Sequence, residues 1–284
     1  MRIPPAVYLL VPLLLSAPLV AADAPLRWSD ASAAVSVDEM ERTAYAWLHE
    51  QEQPAKAYPW YRAAAVQGSA AASANLGWLY EEGLGVEQDG AAATYWYGRA
   101  VEAGAARYTL HLGWMHLDGK LLEVDREQAE DWFRTGMDLG VREAALALGS
   151  VYFADVLGGR SELGPEAEAL LLQALEQGVA QAAGFLARMY LDGLGIEADV
   201  ERGLAAARLG AATGDTQMQQ LLIRLYLEGG IVEADPVQAN VWATVAARQG
   251  DTSARAISQE LEARVLSDED TQRSREQARV ILEG

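Results

Sequence analysis

The stretch ANLGWLYEEGLGVEQD, Ala74 to Asp89, has two readings that lead to different proteins. An apolar run followed by Gly83, Gly85 and an acidic residue has the look of a loop that holds a phosphate at a helix start. The same residues also suit a turn between two helices, with Asp89 capping the second. Recurrence separates the two. The glycines return at Gly193 and Gly195, with variants at Gly119 and at Gly229-Gly230. A phosphate cradle is not ordinarily built several times along one chain, so the loop reads as punctuation inside a repeat.

The period is regular. Apolar, alanine-rich segments (YPWYRAAAVQG, TYWYGRAVEAG, EDWFRTGMDLG, EALLLQALEQG, LAAARLGAATG and NVWATVAARQG) close on Gly68, Gly104, Gly140, Gly178, Gly214 and Gly250, at spacings of 36, 36, 38, 36 and 36. Such a spacing marks a helix-pair array. Small residues at 57, 93, 129, 167, 203 and 239, and again seven residues later, lie on one helical face and admit a neighbouring backbone. Trp60, Trp96, Trp132, Leu170, Ala206 and Trp242 occupy the column between them, which predicts filler between stacked helices. A second set of segments, from ANLGWLY to LLIRLY, ends on Tyr80, His116, Tyr152, Tyr190 and Tyr226, and its Leu/Tyr stripe follows the i, i+4, i+7, i+8 rule. Each unit is therefore helix, loop, helix and a glycine in the left-handed conformation.

Asp89, Asp125, Asp199 and Asp235 stand where the second helix of a unit should start. With Gln128 and Gln238 three residues on, Asp125 and Asp235 predict capping boxes, and Pro236 suits the first helical turn. The fourth unit departs. Leu163 replaces the Asp, Gly164-Pro165-Glu166 begins the helix, and the loop ADVLGGRSELG around 155–165 is two residues longer.

Composition agrees with an all-α protein. Of 284 residues, 51% are hydrophobic and only 9 are Pro, alanine leads the apolar share, and no β-branched runs occur. The net charge of −19 speaks against a nucleic-acid partner and against anionic lipid surfaces. Residues 1–22, with Arg2, an apolar run from Val7 to Val20 and Val20-Ala21-Ala22, have the layout of a secretory signal, read as cleaved, with a retained anchor as the alternative. The run is short for a membrane span and is broken by Pro12 and Pro18, so no stable membrane insertion is expected once the signal is cleaved. The chain has no Cys, which removes disulfides, thiol nucleophiles and a lipid anchor after the signal.

These columns together resemble the Sel-1-like repeat family, relatives of the tetratricopeptide repeat. ANLGWLYEEGLGVEQDGAAATYWYGRAVEAG carries the match best, and ARMYLDGLGIEADVERGLAAARLGAATG and RLYLEGGIVEADPVQANVWATVAARQG follow it. The resemblance implies a right-handed α-solenoid, with an atypical first unit whose opening helix is read at about 38–51. The expected organisation is a signal (1–22), a linker (23–37), the repeat solenoid (38–251) and C-terminal capping helices (252–284).

The inventory for chemistry is thin. Of the three histidines, His111 and His116 are five apart, a spacing that does not put two ligands on one helical face. His116 fills the Tyr column. No HExxH, GxSxG or P-loop motif occurs, and pairs such as Glu81-Glu82 arise freely on an acidic surface. No catalytic residue, cofactor or metal is therefore expected. The β-lactam chemistry linked to cysteine-rich relatives finds no support, since their cysteine pairs are missing.

A binding surface has a better candidate. The residue after the recurrent glycine points about 200° from the Leu/Tyr stripe at the helical 100° per residue. Its occupants are Trp78, Trp114, Ser150, Arg188 and Arg224, running from an aromatic to a cationic end. First helices of such solenoids are expected to line the concave face, and Trp and Arg are the usual anchors of interfaces. Trp78, Trp114, Arg188 and Arg224 are thus the expected contacts for a protein or peptide partner. The resulting expectation is a monomeric, non-catalytic scaffold, periplasmic or secreted, in a Gram-negative bacterium. Alternatives are a cell-envelope hydrolase acting on peptidoglycan or a β-lactam, and an accessory of a polysaccharide-export or secretion assembly.

Overall fold

In a computed structural model of the chain, residues 35–283 are described. The signal at 1–22 and all but the end of the linker at 23–37 lie outside them. Among the described residues there are fourteen α-helices and no strand, arranged as an α-solenoid. We number them α1 (Val37–Tyr45), α2 (Pro54–Val66), α3 (Ala70–Glu82), α4 (Gly90–Glu102), α5 (Tyr108–Asp118), α6 (Arg126–Asp138), α7 (Glu143–Leu157), α8 (Gly164–Glu176), α9 (Ala182–Asp192), α10 (Val200–Ala212), α11 (Thr216–Glu228), α12 (Pro236–Arg248), α13 (Thr252–Arg264) and α14 (Asp268–Glu283). The odd-numbered members from α3 to α11 are the first helices of their units, and each packs most heavily on the second helix that follows it.

The opening helix differs from the expected 38–51. It is α-helical only to Tyr45 and continues as a π-helix over Ala46–Glu50. Every closing glycine of the 36-residue period has positive φ, from 79° at Gly140 to 107° at Gly250, as the left-handed helix stop requires.

The loop locks differently from a capping box. Asp89, Asp125, Asp199 and Asp235 do cap their helices, each accepting backbone N–H bonds from the first turn. The return arm is not a Gln side chain, however. Each Asp backbone N–H donates instead to the carbonyl of the Tyr-column residue: Asp89 to Tyr80 (3.0 Å), Asp125 to His116 (2.9 Å), Asp199 to Tyr190 (2.9 Å) and Asp235 to Tyr226 (2.9 Å). Gln238 turns away to Gln277 on α14, 3.0 Å distant. Each of these four loops is thus tied across its own base by the same bond.

Successive units meet through backbone. A Cβ on Gly85 would lie 2.3 Å from the Ala55 nitrogen, at the start of the preceding second helix. One on Gly164 would lie 2.1 Å from the Gly195 carbonyl oxygen. Within a unit the recurrent glycine admits an aromatic ring: Gly77 sits under Tyr97, and Gly113 under Phe133. The small columns behave as their spacing predicts, with Ala57, Ala64, Ala93, Ala100, Ala129, Ala167 and Ala174 at 0% exposure. The tryptophan column fills interhelical space unevenly. Trp242 is buried, while Trp60, Trp96 and Trp132 are half-buried.

The irregular fourth unit absorbs its two extra residues in a longer α7 and a 3-10 turn at Ser161–Leu163. Helix α8 begins at Gly164 without a side-chain cap. Asp155 supports this corner by pairing with Arg126 from the unit before and with Arg160 at 3.6 Å. At the C-terminal end, α13 and α14 both pack on α12. Their contact is partly polar. Asn240 Nδ2 donates to Ser274 Oγ (2.8 Å) deep in the interface, and Arg275 grips Glu262 through Nε (2.8 Å) and Nη2 (2.6 Å).

Candidate functional site

Helix α7 directly touches the first helices on either side of it, α5 and α9. Helices that approach one another this way occupy the inner radius of a curved stack, which puts α5, α7 and α9 on the inner side. The column after the recurrent glycine lies on the first helices.

Its members are not equivalent. Trp114 is 45% exposed, with its ring edge-on to Phe133 at 5.1 Å. Trp78 is half-buried, stacks on His49 at 6.5 Å and packs against two hydrophobic clusters at once, so it also serves the core. Ser150 turns its hydroxyl back to the Ala147 carbonyl at 2.8 Å. Arg188 is exposed and lies 5.2 Å over the Phe153 ring. Arg224 is exposed and, among the described residues, makes no ion pair. The four expected contacts therefore share a face but not a single pocket.

One hollow of about 310 Å³ does open on this face, beside Trp114. It is lined by Glu81, His111, Trp114, Met115, Leu117 and Asp118. Glu81 is its hub: Oε2 accepts from the Tyr97 hydroxyl at 2.7 Å and lies 2.8 Å from His111 Nε2. Tyr97 is buried, and burial and the Glu81 carboxylate push its hydroxyl far above the ordinary tyrosine range. It stays a neutral donor and fixes the carboxylate. The His111 ring meets Tyr97 edge-on at 4.7 Å. Asp118 holds Lys120 at 3.1 Å. A positioned carboxylate beside an exposed indole can accept hydrogen bonds from a cation while the ring face attracts it.

Sequence reasoning weighed Glu81 only as half of a carboxylate pair and His111 only as a metal ligand, and set both aside, for a physical reason. Glu81, Tyr97 and His111 come from three helices, and only the register of the stack joins them. The one available signal was that Glu81 and His111 follow Trp78 and precede Trp114 by three residues, on helices that share an inner face. His116 behaves as its column implied, as a packed side chain. Both ring nitrogens are buried without a hydrogen-bond partner, and burial lowers its pKa against the opposing pull of Asp125. Among the described residues no group of three or more His, Asp or Glu is placed to hold a metal ion, and no helix is long and apolar enough to cross a membrane.

Paired helices at a fixed period, with an inner face left open, define the chain as an α-solenoid of the tetratricopeptide-like class. The Sel1 repeat family model matches residues 70–104, 109–141, 180–210 and 203–251. The chain belongs to the Sel1-repeat family. The gap in the matches falls on the fourth unit, where the capping Asp is lost and the loop is longer. Among solved structures, a Sel1 repeat protein from Oxalobacter formigenes is 25% identical, covering 78% of this chain and 92% of that one, with a TM-score of 0.55. The protein c5321, a protective antigen of uropathogenic Escherichia coli displaying an SLR fold, is 24% identical over 86% of this chain and 61% of that one, with a TM-score of 0.38. The immunity protein Pa5087 from Pseudomonas aeruginosa is 18% identical over 86% and 81%, with a TM-score of 0.35. No curated protein matches the chain. Sel1-repeat folds commonly mediate protein–protein interaction and are generally non-catalytic.

Proposed function

We propose that this protein is an exported, non-catalytic adaptor that holds a protein or peptide partner on its concave face. Export rests on the signal-like pattern of residues 1–22, and a Gram-negative periplasm is the compartment that this pattern and the family suggest. The observation that carries the binding reading is Trp114, a large aromatic left 45% exposed on the inner face. Nothing in the packing of its unit calls for an indole there, since Ser150, Arg188 and Arg224 hold the same position in other units. Arg188 and Arg224 extend the surface along the face, and Trp and Arg are the residue types that dominate interface energies.

The test is photo-crosslinking in the native host, with the crosslinker at position 224 and the captured protein identified by mass spectrometry. One protein captured repeatedly, and lost on Trp114→Ala with folding intact, is the expected result. Capture unaffected by Trp114→Ala and Arg188→Ala together would remove the concave face from the account.

A further inference from the structure

Among the described residues the solenoid contains, twice, an aromatic ring joined to a carboxylate and closed by an arginine from the same chain. Tyr152 donates to Glu130 at 2.7 Å, Arg134 donates to the Tyr152 hydroxyl at 2.9 Å, and the Arg126 guanidinium lies 5.9 Å over the ring. Tyr190 donates to Glu168 at 2.5 Å, while Arg202 lies 4.1 Å over that ring and 2.9 Å from the same carboxylate. In both, a guanidinium satisfies the carboxylate and the ring together, as its planar fork allows.

At the hollow beside Trp114 the tyrosine–carboxylate pair is present, but the group beside it is His111, 2.8 Å from Glu81, and not an arginine. Glu81 is fixed by Tyr97 and His111 through Oε2, and its Oε1 has no hydrogen-bond partner among the described residues. No Lys or Arg among them pairs with Glu81. Arg107, a candidate by position, lies 4.9 Å over the Tyr108 ring instead. Lys120 is spent on Asp118. The Trp114 indole stands open beside this carboxylate, in a space of about 310 Å³ that admits a side chain but not a folded domain.

We infer that this hollow receives an arginine side chain of the partner, its guanidinium bonded to Glu81 Oε1 and lying against Trp114. The inference rests on the concave-face reading and deepens it, by naming the chemistry that one end of that face selects. The partner segment carries a basic residue there, complementary to a chain of net charge −19.

The test uses the full chain and a small probe, Nα-acetyl-arginine amide, with Nα-acetyl-citrulline amide as its neutral isostere. Indole N–H signals are followed by ¹⁵N–¹H NMR, and the Trp114 signal is assigned from Trp114→Phe. The arginine probe should shift the Trp114 signal in a saturable way, and citrulline should not. Glu81→Gln, which keeps an acceptor for Tyr97 and an unchanged fold by circular dichroism, should weaken the response by about tenfold, as loss of a charge-assisted bond implies. An unmoved Trp114 signal, equal shifts from both probes, or an undiminished response in Glu81→Gln would each overturn the inference. Crosslinking through position 224 reads the concave face independently. A captured partner together with a silent arginine probe sinks this inference alone.

Discussion

Gly113 on α5 lies against the ring of Phe133 on α6 so closely that a Cβ there would stand 2.4 Å from the ring. The contact makes the Leu-Gly pair of the repeat a packing requirement. Gly113→Ala should therefore destabilise by about 1–3 kcal/mol, because the strain of overpacking outweighs the gain in helix propensity. Gly98→Ala is the control. Its Cβ would meet only Trp132, at an ordinary 3.7 Å, so the propensity gain of about 0.5–1 kcal/mol should appear as stabilisation. Urea unfolding of the two variants should move the midpoint in opposite directions.

The loop lock predicts the effect of removing a cap. Asp199 accepts from the Arg202 N–H at 3.0 Å. Asp199→Ala should cost about 0.5–2 kcal/mol, and Asp199→Asn, which keeps an acceptor, clearly less. The backbone bond to Tyr190 survives both changes, so the loss should show in unfolding midpoints while helix content by circular dichroism is kept.

His116 gives the protein an acid-sensitive component. Burial without hydrogen-bond partners depresses its folded pKa below the ordinary 6.5. A depressed folded pKa means that the unfolded chain takes up the proton first. The contribution to stability is complete above about 6.5 and declines as pH falls below that value toward the lowered one. Unfolding midpoints at pH 7.5 and 5.5 should differ less in His116→Tyr, which restores the residue found in this column elsewhere. An unchanged difference would remove His116 as its source.

The two concave tryptophans should separate in their effects on stability. Trp78 joins two hydrophobic clusters, and Trp78→Ala should cost about 1–3 kcal/mol, less than a fully buried tryptophan would. Trp114, nearly half exposed, should cost about 1 kcal/mol or less. Thermal unfolding of the two variants settles the order, which makes Trp114→Ala the cleaner probe of binding.

Much of this architecture is written in the sequence because it is local and repeated. The closing glycines, the capping Asp residues and the small columns each depend on backbone conformation or on one helical face, so spacing alone exposes them. The capping box at Asp125 and Asp235 was the natural expectation and is not what forms. A carbonyl one turn before the loop glycine competes for the same N–H, and only the folded loop brings it near. The Glu81–Tyr97–His111 cluster was illegible for the same reason at longer range, since 16 and 30 residues separate its members and each looks ordinary in its own column. Trp78 and Trp114 look alike as letters and differ only through their neighbours, His49 for one and Phe133 for the other.

A protein made of near-identical units has a difficulty that other folds lack: the surface that joins one unit to the next would also join one molecule to another, and the array could lengthen into a fibre. The bond between Asn240 and Ser274, beneath the Glu262–Arg275 pair, acts against this at the C-terminal end. Its donor and acceptor must meet in one register, a condition that apolar contact alone does not impose. An intruding helix with no matching acceptor would leave the Asn240 amide only its longer contact of 3.4 Å to Glu262. The joint between α12 and α14 thus discriminates between the chain's own helix and an intruding one.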